Sequence, residues 1–221
     1  ASRGMTKWVR ISMNPSSWFA NQFVDFYNET FEKNYHFQLT TAGVRSVMER
    51  VRDYKDDIGF VYILSHQQEN FLHELAKNKM EFVPMYETDV IFYPGRQTEF
   101  YDSGKEKVRL EELEGIRFIQ NYQDEFFDLG SVQENAFQWR DLDISVLTNS
   151  DYIMEKMLKN SKVSNVSGSY LSENKKGTTP GIPLELGNNK VIFGYIFHKS
   201  EKMDDSVEEF LTFLKGRLSK S

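Results

Sequence analysis

The sequence predicts an α/β protein made of two β/α lobes joined by two extended crossing strands. Three observations carry this reading. Strand and helix patterns alternate three times between residues 8 and 77, as in a parallel sheet with crossover helices. Residues 58–64 (Ile-Gly-Phe-Val-Tyr-Ile-Leu) form an unbroken apolar run of the kind buried on both faces of such a sheet. Two extended stretches, 82–93 and 181–185, bracket a second β/α set. The boundaries that follow are residues 5–88 with 183–221 for lobe I and 89–182 for lobe II. Residues 1–4 (Ala-Ser-Arg-Gly, ahead of Met5) read as a tag remnant.

Each element has its own signal. Residues 8–13 alternate polar and apolar side chains, and Asn14-Pro15-Ser16-Ser17 then opens a helical pattern over 18–33, with Phe19, Phe23, Phe26, Tyr27 and Phe31 at spacings near three and four. Phe37 and Leu39 alternate in a second strand over 36–41, followed by a helix carrying Val44, Val47, Met48, Val51 and Tyr54. The third strand, 58–64, ends at Ser65-His66 and leads to a helix with Phe71, Leu72 and Leu75. Residues 82–93 are apolar through a proline and a polar interruption, which suits a chain crossing between lobes. A surface loop over 95–107, strands at 116–122 and 142–148, helices at 132–139 and 151–160, and a strand at 163–171 make up the second set. Gly181 to Glu185 is expected to cross back. A strand over 190–199 and a helix over 203–218, with Val207, Phe210, Leu211, Leu214 and Leu218 on one face, complete the chain.

Composition narrows the function. The 221 residues are 39% hydrophobic, with 18 Phe and 11 Tyr, enough for a large core. Net charge is -6, from 33 acidic against 27 basic residues, and no run of Lys and Arg is interleaved with aromatics to follow a phosphate backbone. Zero cysteines exclude disulfides, Cys-ligated zinc and a thiol nucleophile. No apolar run approaches 18 residues, so no membrane span is expected.

No catalytic or metal constellation emerges either. The four histidines, His36, His66, His73 and His198, lack a Glu-paired i, i+4 partner, and there is no nucleophile elbow, Walker A loop or dinucleotide fingerprint. Acidic pairs at Glu111-Glu112 and Asp204-Asp205 stand at helix starts, where they complement the dipole. No cofactor is implied and no enzyme activity is expected.

What remains is a set of short polar segments at strand ends: 14–17, 40–42, 65–66, 121–123, 148–150 and 165–169. Each alone reads as a cap or turn. Parallel strands, however, bring their carboxyl ends to one edge, and the first turn of a helix there carries free N–H groups and a positive dipole end suited to a small anion or polar ligand. The candidate ligand contacts are therefore Pro15, Ser16, Ser17, Thr40, Thr41, Ser65, Tyr122, Thr148, Asn149 and Ser167.

The order of segments RISMNPSS, MERVRDYKDDIGFVYI, FVPMYETDVIFYPG, VRLEELEGIRFI, LDISVLTNSDYIMEKMLKNSKV, PGIPLE and DSVEEFLTFLKGRL resembles the effector-binding domain of LysR-type transcriptional regulators over residues 7–218. The resemblance implies two Rossmann-like lobes in a type 2 periplasmic-binding-protein-like fold. It implies a small-molecule effector held in the cleft between lobes, with Pro15, Ser16, Ser17, Thr40, Thr41, Thr148 and Asn149 among its contacts. It further implies self-association as a dimer or tetramer, a cytoplasmic location, no membrane contact, and promoter DNA bound only through a winged helix-turn-helix preceding this domain. At 164–170 the chain reads Ser-Asn-Val-Ser-Gly-Ser-Tyr where many family members are Gly-rich and apolar, so a more polar pocket wall is expected. The same fold serves type 2 extracytoplasmic solute-binding proteins of transporters, which are the alternative reading. An enzyme of similar fold, such as a prephenate-type dehydratase, would need the organised acid-base pair that the sequence lacks.

Overall fold

The computed structural model describes residues 6–122, 142–168, 181–187 and 190–219. The expected helix over 132–139, the Gln123 end of the 121–123 segment and the 169–171 end of the strand over 163–171 lie outside the described residues. The chain divides into two compact units: the described residues of Ala1–Tyr62, Gln67–Tyr86 and Phe193–Ser221, and those of Ile63–His66 and Glu87–Ile192.

The first unit is built on a five-stranded sheet of order β2-β1-β3-β11-β4, from β1 (Trp8–Met13), β2 (His36–Thr41), β3 (Ile58–Leu64), β4 (Met80–Thr88) and β11 (Val191–His198). β1 pairs in parallel with both β2 and β3. Every residue of β3 is buried, because it is the central strand with helices on both sides. One face is covered by α1 (Ser17–Glu29) and α5 (Asp205–Leu218), whose aromatics interlock. Phe19 lies 4.9 Å from Phe60 and 5.6 Å from Phe210, Phe26 lies 4.9 Å from Phe210, and Trp18 lies 5.7 Å from Phe193. The other face takes α2 (Val44–Arg52), seated closely because Gly59 has no side chain: a Cβ there would lie 2.4 Å from Val47 Cγ1. α3 (Gln68–Lys77) brings Phe71 to 5.3 Å from Phe82 of β4.

Two helices end earlier than their apolar spacing suggests. α1 stops at Glu29 because Thr30 turns its N–H and hydroxyl onto the Phe26 carbonyl, and a single 3-10 turn, Phe31–Lys33, follows. α2 stops at Arg52, and Tyr54 adopts φ +57 with its ring stacked on His198 at 4.5 Å.

In the second unit, β5 (Val90–Tyr93) is wholly buried in a four-stranded sheet of order β6-β10-β5-β9, with β6 (Val108–Arg109), β9 (Asn165–Ser167) and β10 (Ile182–Glu185). Residues 182–185, within the stretch expected to cross back, form an internal strand of this sheet, antiparallel to β5 and parallel to β6. The long stretch 82–93 is likewise broken at Asp89 into β4 and β5. β7 (Arg117–Asn121) and β8 (Asp143–Thr148) form a parallel pair, joined to the segment entering β9 by the Phe118–Ser164 bridge. α4 (Asp151–Asn160) sets Met154 and Leu158 into a core with Ile91, Tyr93, Ile119 and Val163.

Candidate functional site

In the first unit, the carboxyl ends of β1, β2 and β3 are fastened by one side chain that the candidate set omitted. Asn14 is 1% exposed; its Nδ2 donates to the Ala42 carbonyl (2.9 Å) and its Oδ1 accepts the Tyr62 N–H (2.8 Å). Its own N–H donates to the Phe60 carbonyl at 3.0 Å, and the Ala42 N–H reaches the Met13 carbonyl at 3.0 Å. The signal for Asn14 was its place directly after the strand. A buried amide there satisfies backbone groups that the ladder no longer pairs.

The register Ser12 with Thr40 and Met13 with Thr41 sets Thr40 and Thr41 level with the last residues of β1, at the edge from which Pro15, Ser16 and Ser17 lead into α1. Within this cluster the side chains divide into two kinds. Pro15 is buried, and Ser16 is buried with its Oγ accepting the Phe19 N–H (3.2 Å) as the α1 cap and sharing a hydrogen bond with the Tyr62 hydroxyl (2.9 Å). Ser17 and Thr41 are exposed, and Thr40 is half-buried. Neither α1 nor α2 carries an acidic residue in its first turn, and the Gly43 cap of α2 offers no side chain to its N–H groups. Two helix starts thus point positive dipole ends and N–H donors at the same sheet edge as the exposed hydroxyls, an arrangement suited to an anionic group.

In the second unit, β7 and β8 end together in the register Asn121 with Thr148, which puts Tyr122 and Asn149 side by side, both exposed. Thr148 is buried and its Oγ1 accepts the Ser150 N–H at 3.0 Å; Ser150 caps α4 by accepting the Ile153 N–H at 3.3 Å. Ser167 is half-buried on β9, opposite Ile91. The described part of the polar wall expected at 164–170 is largely committed to the fold. Asn165 Nδ2 donates to the Ile119 carbonyl and to Gln120 Oε1, while Gln120 Nε2 donates to the Val166 carbonyl and its Oε1 accepts the Val166 N–H, all at 2.8–3.0 Å. Ser65 is placed elsewhere in this unit, where its Oγ accepts the Lys190 N–H (3.0 Å) and its N–H donates to the Lys190 carbonyl (2.8 Å). The Lys190 ammonium in turn pairs with Asp89.

Among the described residues, no three His, Asp or Glu side chains are grouped to hold a metal ion. Among them too, no helix is long and apolar enough to cross a membrane.

No protein-family model matches the sequence, and no curated protein matches it. Solved structures do. The effector-binding domain of QuiR in complex with shikimate superposes with a TM-score of 0.66 at 9% identity, over 97% of this chain and 98% of that one. The chain has the fold of LysR-type regulatory domains. The CcmR regulatory domain of Synechocystis PCC6803, in complex with 2-PG, gives a TM-score of 0.69 at 11% identity over 96% and 97% of the two chains. HinK, a LysR family transcriptional regulator from Pseudomonas aeruginosa, gives 0.66 at 11% identity over 99% of this chain and 74% of that one. This is the type 2 periplasmic-binding-like fold expected from the sequence.

Proposed function

We propose that this chain is the effector-sensing regulatory domain of a LysR-type transcriptional regulator. It takes up a small polar, anionic molecule at the carboxyl strand ends and passes the signal to a DNA-binding module elsewhere in the regulator. The observation that supports this best is the near-complete coverage by regulatory domains of that family, two of them solved with a small molecule, together with the strand-end cluster around Ser17 and Thr41. The mechanism is a shift of population: an effector that binds one conformation better than another moves the balance by its difference in affinity, a coupling of about 1–3 kcal/mol. In this reading the residues present bind and orient the molecule. Ser17, Thr41 and the first-turn N–H groups of α1 and α2 hold the anion, and Ser16 and Asn14 hold those groups in place.

Self-association belongs to the same proposal. α1 presents Val24 (56% exposed) and Tyr27 (42%), followed by Phe31 (62%), along one outward stripe beside the edge strand β2. Contiguous apolar side chains in such a position suit a second copy.

The test is native mass spectrometry of freshly purified protein for a retained small molecule, followed by a thermal-shift panel of organic acids. Stabilisation by one or more acids that is abolished in Ser17→Glu or Thr41→Glu supports the proposal. Stabilisation unaltered by either variant, or none across the panel, refutes the site.

A further inference from the structure

At the opposite, amino-terminal edge of the first unit's sheet lies a cavity of about 380 Å³, floored by buried Val9 and walled by Lys7, Tyr35, His36, Asp204 and Ser206. It sits where β1 and β2 begin, in the register Trp8 with His36, beneath the start of α5. Its volume is within the range of small-molecule sites.

The chemistry of the cavity is set by Asp204. One carboxylate oxygen, Oδ1, is locked: it accepts the Ser206 N–H at 2.9 Å and the Ser206 hydroxyl at 2.5 Å as the cap of α5. The other, Oδ2, faces the Lys7 ammonium at 2.5 Å. Lys7 is 76% exposed, so its hold on Asp204 is screened and costs little to open. The hydrogen bonds from Lys7 and Ser206 keep the Asp204 carboxyl at about 2, so Oδ2 is charged throughout the physiological range. Asp57 and Asp205 also add their fields around Lys7, Asp57 being paired with Arg10 at 3.6 Å. The neighbouring Lys33 and Tyr35 hydroxyl are both bound to Glu209, at 2.5 and 2.7 Å, which leaves the Tyr35 and His36 rings as semi-apolar wall.

We propose that this cavity binds a free α-amino acid. The ligand's ammonium replaces Lys7 on Asp204 Oδ2, the released Lys7 ammonium takes the ligand's carboxylate, and the side chain lies on Val9, Tyr35 and His36. A zwitterion is the chemistry that satisfies both halves of an opened ion pair at once. An amine alone leaves Lys7 displaced without a partner, and a carboxylate alone meets Asp204. This site is independent of the strand-end effector site.

The experiment is ligand-observed NMR and calorimetry on the whole chain with L-phenylalanine, phenethylamine and 3-phenylpropionate. L-Phenylalanine is expected to bind most tightly, phenethylamine weakly and 3-phenylpropionate not at all. Asp204→Asn, which keeps an oxygen for the α5 cap but loses the charge, should weaken L-phenylalanine by about tenfold or more, as expected for a lost charged hydrogen bond. Lys7→Met should remove the advantage of L-phenylalanine over phenethylamine while phenethylamine binds at least as well as before. Circular dichroism of each variant confirms the fold. Ser17→Glu and Thr41→Glu should leave L-phenylalanine binding unchanged, which separates this site from the effector site. Equal binding of 3-phenylpropionate, insensitivity to Asp204→Asn, loss in Ser17→Glu, or no binding up to roughly 10 mM would each overturn the proposal.

Discussion

Replacing Asn14 by alanine tests the central claim about how the first unit's strand ends are held. The side chain satisfies two backbone groups from different strands, the Ala42 carbonyl at the end of β2 and the Tyr62 N–H inside β3, and both bonds are buried. Removing it strands one acceptor and one donor. A buried group left without a partner costs about 1–3 kcal/mol, so the pair costs about 3 kcal/mol once some relaxation is allowed. For a chain of this size that corresponds to a fall in Tm of roughly 6–12 °C. Asn14→Asp makes the reasoning sharper: it keeps an oxygen for the Tyr62 N–H but turns a charge toward the Ala42 carbonyl, and it should be no better tolerated than alanine. The assay is urea unfolding followed by circular dichroism, with thermal melting as a second probe. A loss below about 1 kcal/mol in Asn14→Ala, or an Asn14→Asp protein of wild-type stability, would show that the three strand ends are held by something else.

Three further outcomes follow from the structure. Gly168→Ala places a Cβ 2.3 Å from Val191 Cγ2 and should destabilise by about 1–3 kcal/mol, a penalty that should be much smaller when the same change is made in a Val191→Ala background, as read from a double-mutant cycle by urea denaturation. Ser150→Ala removes the cap of α4 and should cost about 1 kcal/mol in the same assay. Asp204 has a folded pKa of about 2 against an ordinary 3.8, so its contribution is fully present above pH 3.8 and is lost as pH falls toward 2. The stability difference between the natural chain and Asp204→Asn, measured by urea titration at several pH values, should therefore shrink across that window and stay flat above it.

Most of the fold was legible because it rests on periodicity. The end points of β1, β2, β3 and α4 coincide with the apolar patterns that predicted them. The Asp56-Asp57-Ile58-Gly59 step that helped carry the family resemblance has a structural cause at each position. Asp56 takes a two-bond pairing from Arg50 at 2.6 and 3.1 Å, Asp57 accepts the Arg10 N–H at 2.8 Å, Ile58 is buried, and Gly59 lets α2 approach. In the same way Glu112 accepts the Arg109 N–H at 2.8 Å, and Gly115 turns at φ +80 to end the Leu-Glu-Glu-Leu-Glu-Gly segment. What could not be read were features set by partners distant in sequence. Apolar spacing alone carries α1 past Thr30, because the competing bond from the Thr30 hydroxyl to Phe26 is not a periodic signal. Residues 181–185 look like any short extended run until β5 and β6 are seen on either side. The cavity at the amino edge of the sheet joins residues 7, 36 and 204, which no local pattern connects.

That residues 14–17 and 40–41 stand at strand ends was legible in the sequence, but what each side chain does there was not, and that difference makes the last prediction. Strand-end polar residues do two jobs that the sequence writes alike. Asn14 and Ser16 spend their hydrogen bonds on backbone and on the Tyr62 hydroxyl, so changing them disturbs the scaffold. Ser17 and Thr41 stand in solvent at the same edge, and surface substitutions of that kind usually move stability by no more than about 0.5 kcal/mol. Substitution there therefore costs the fold little. The expectation is a crossed pattern in a four-variant set. Ser17→Ala and Thr41→Ala should melt with the natural chain yet lose binding of whichever acid the thermal-shift panel identifies. Asn14→Ala and Ser16→Ala should melt early, and their binding should weaken together with that loss of stability, because they hold the contacting groups in place. If Ser17→Ala and Thr41→Ala bind that acid as the natural chain does, the exposed hydroxyls are not the contacts and the acid is held elsewhere.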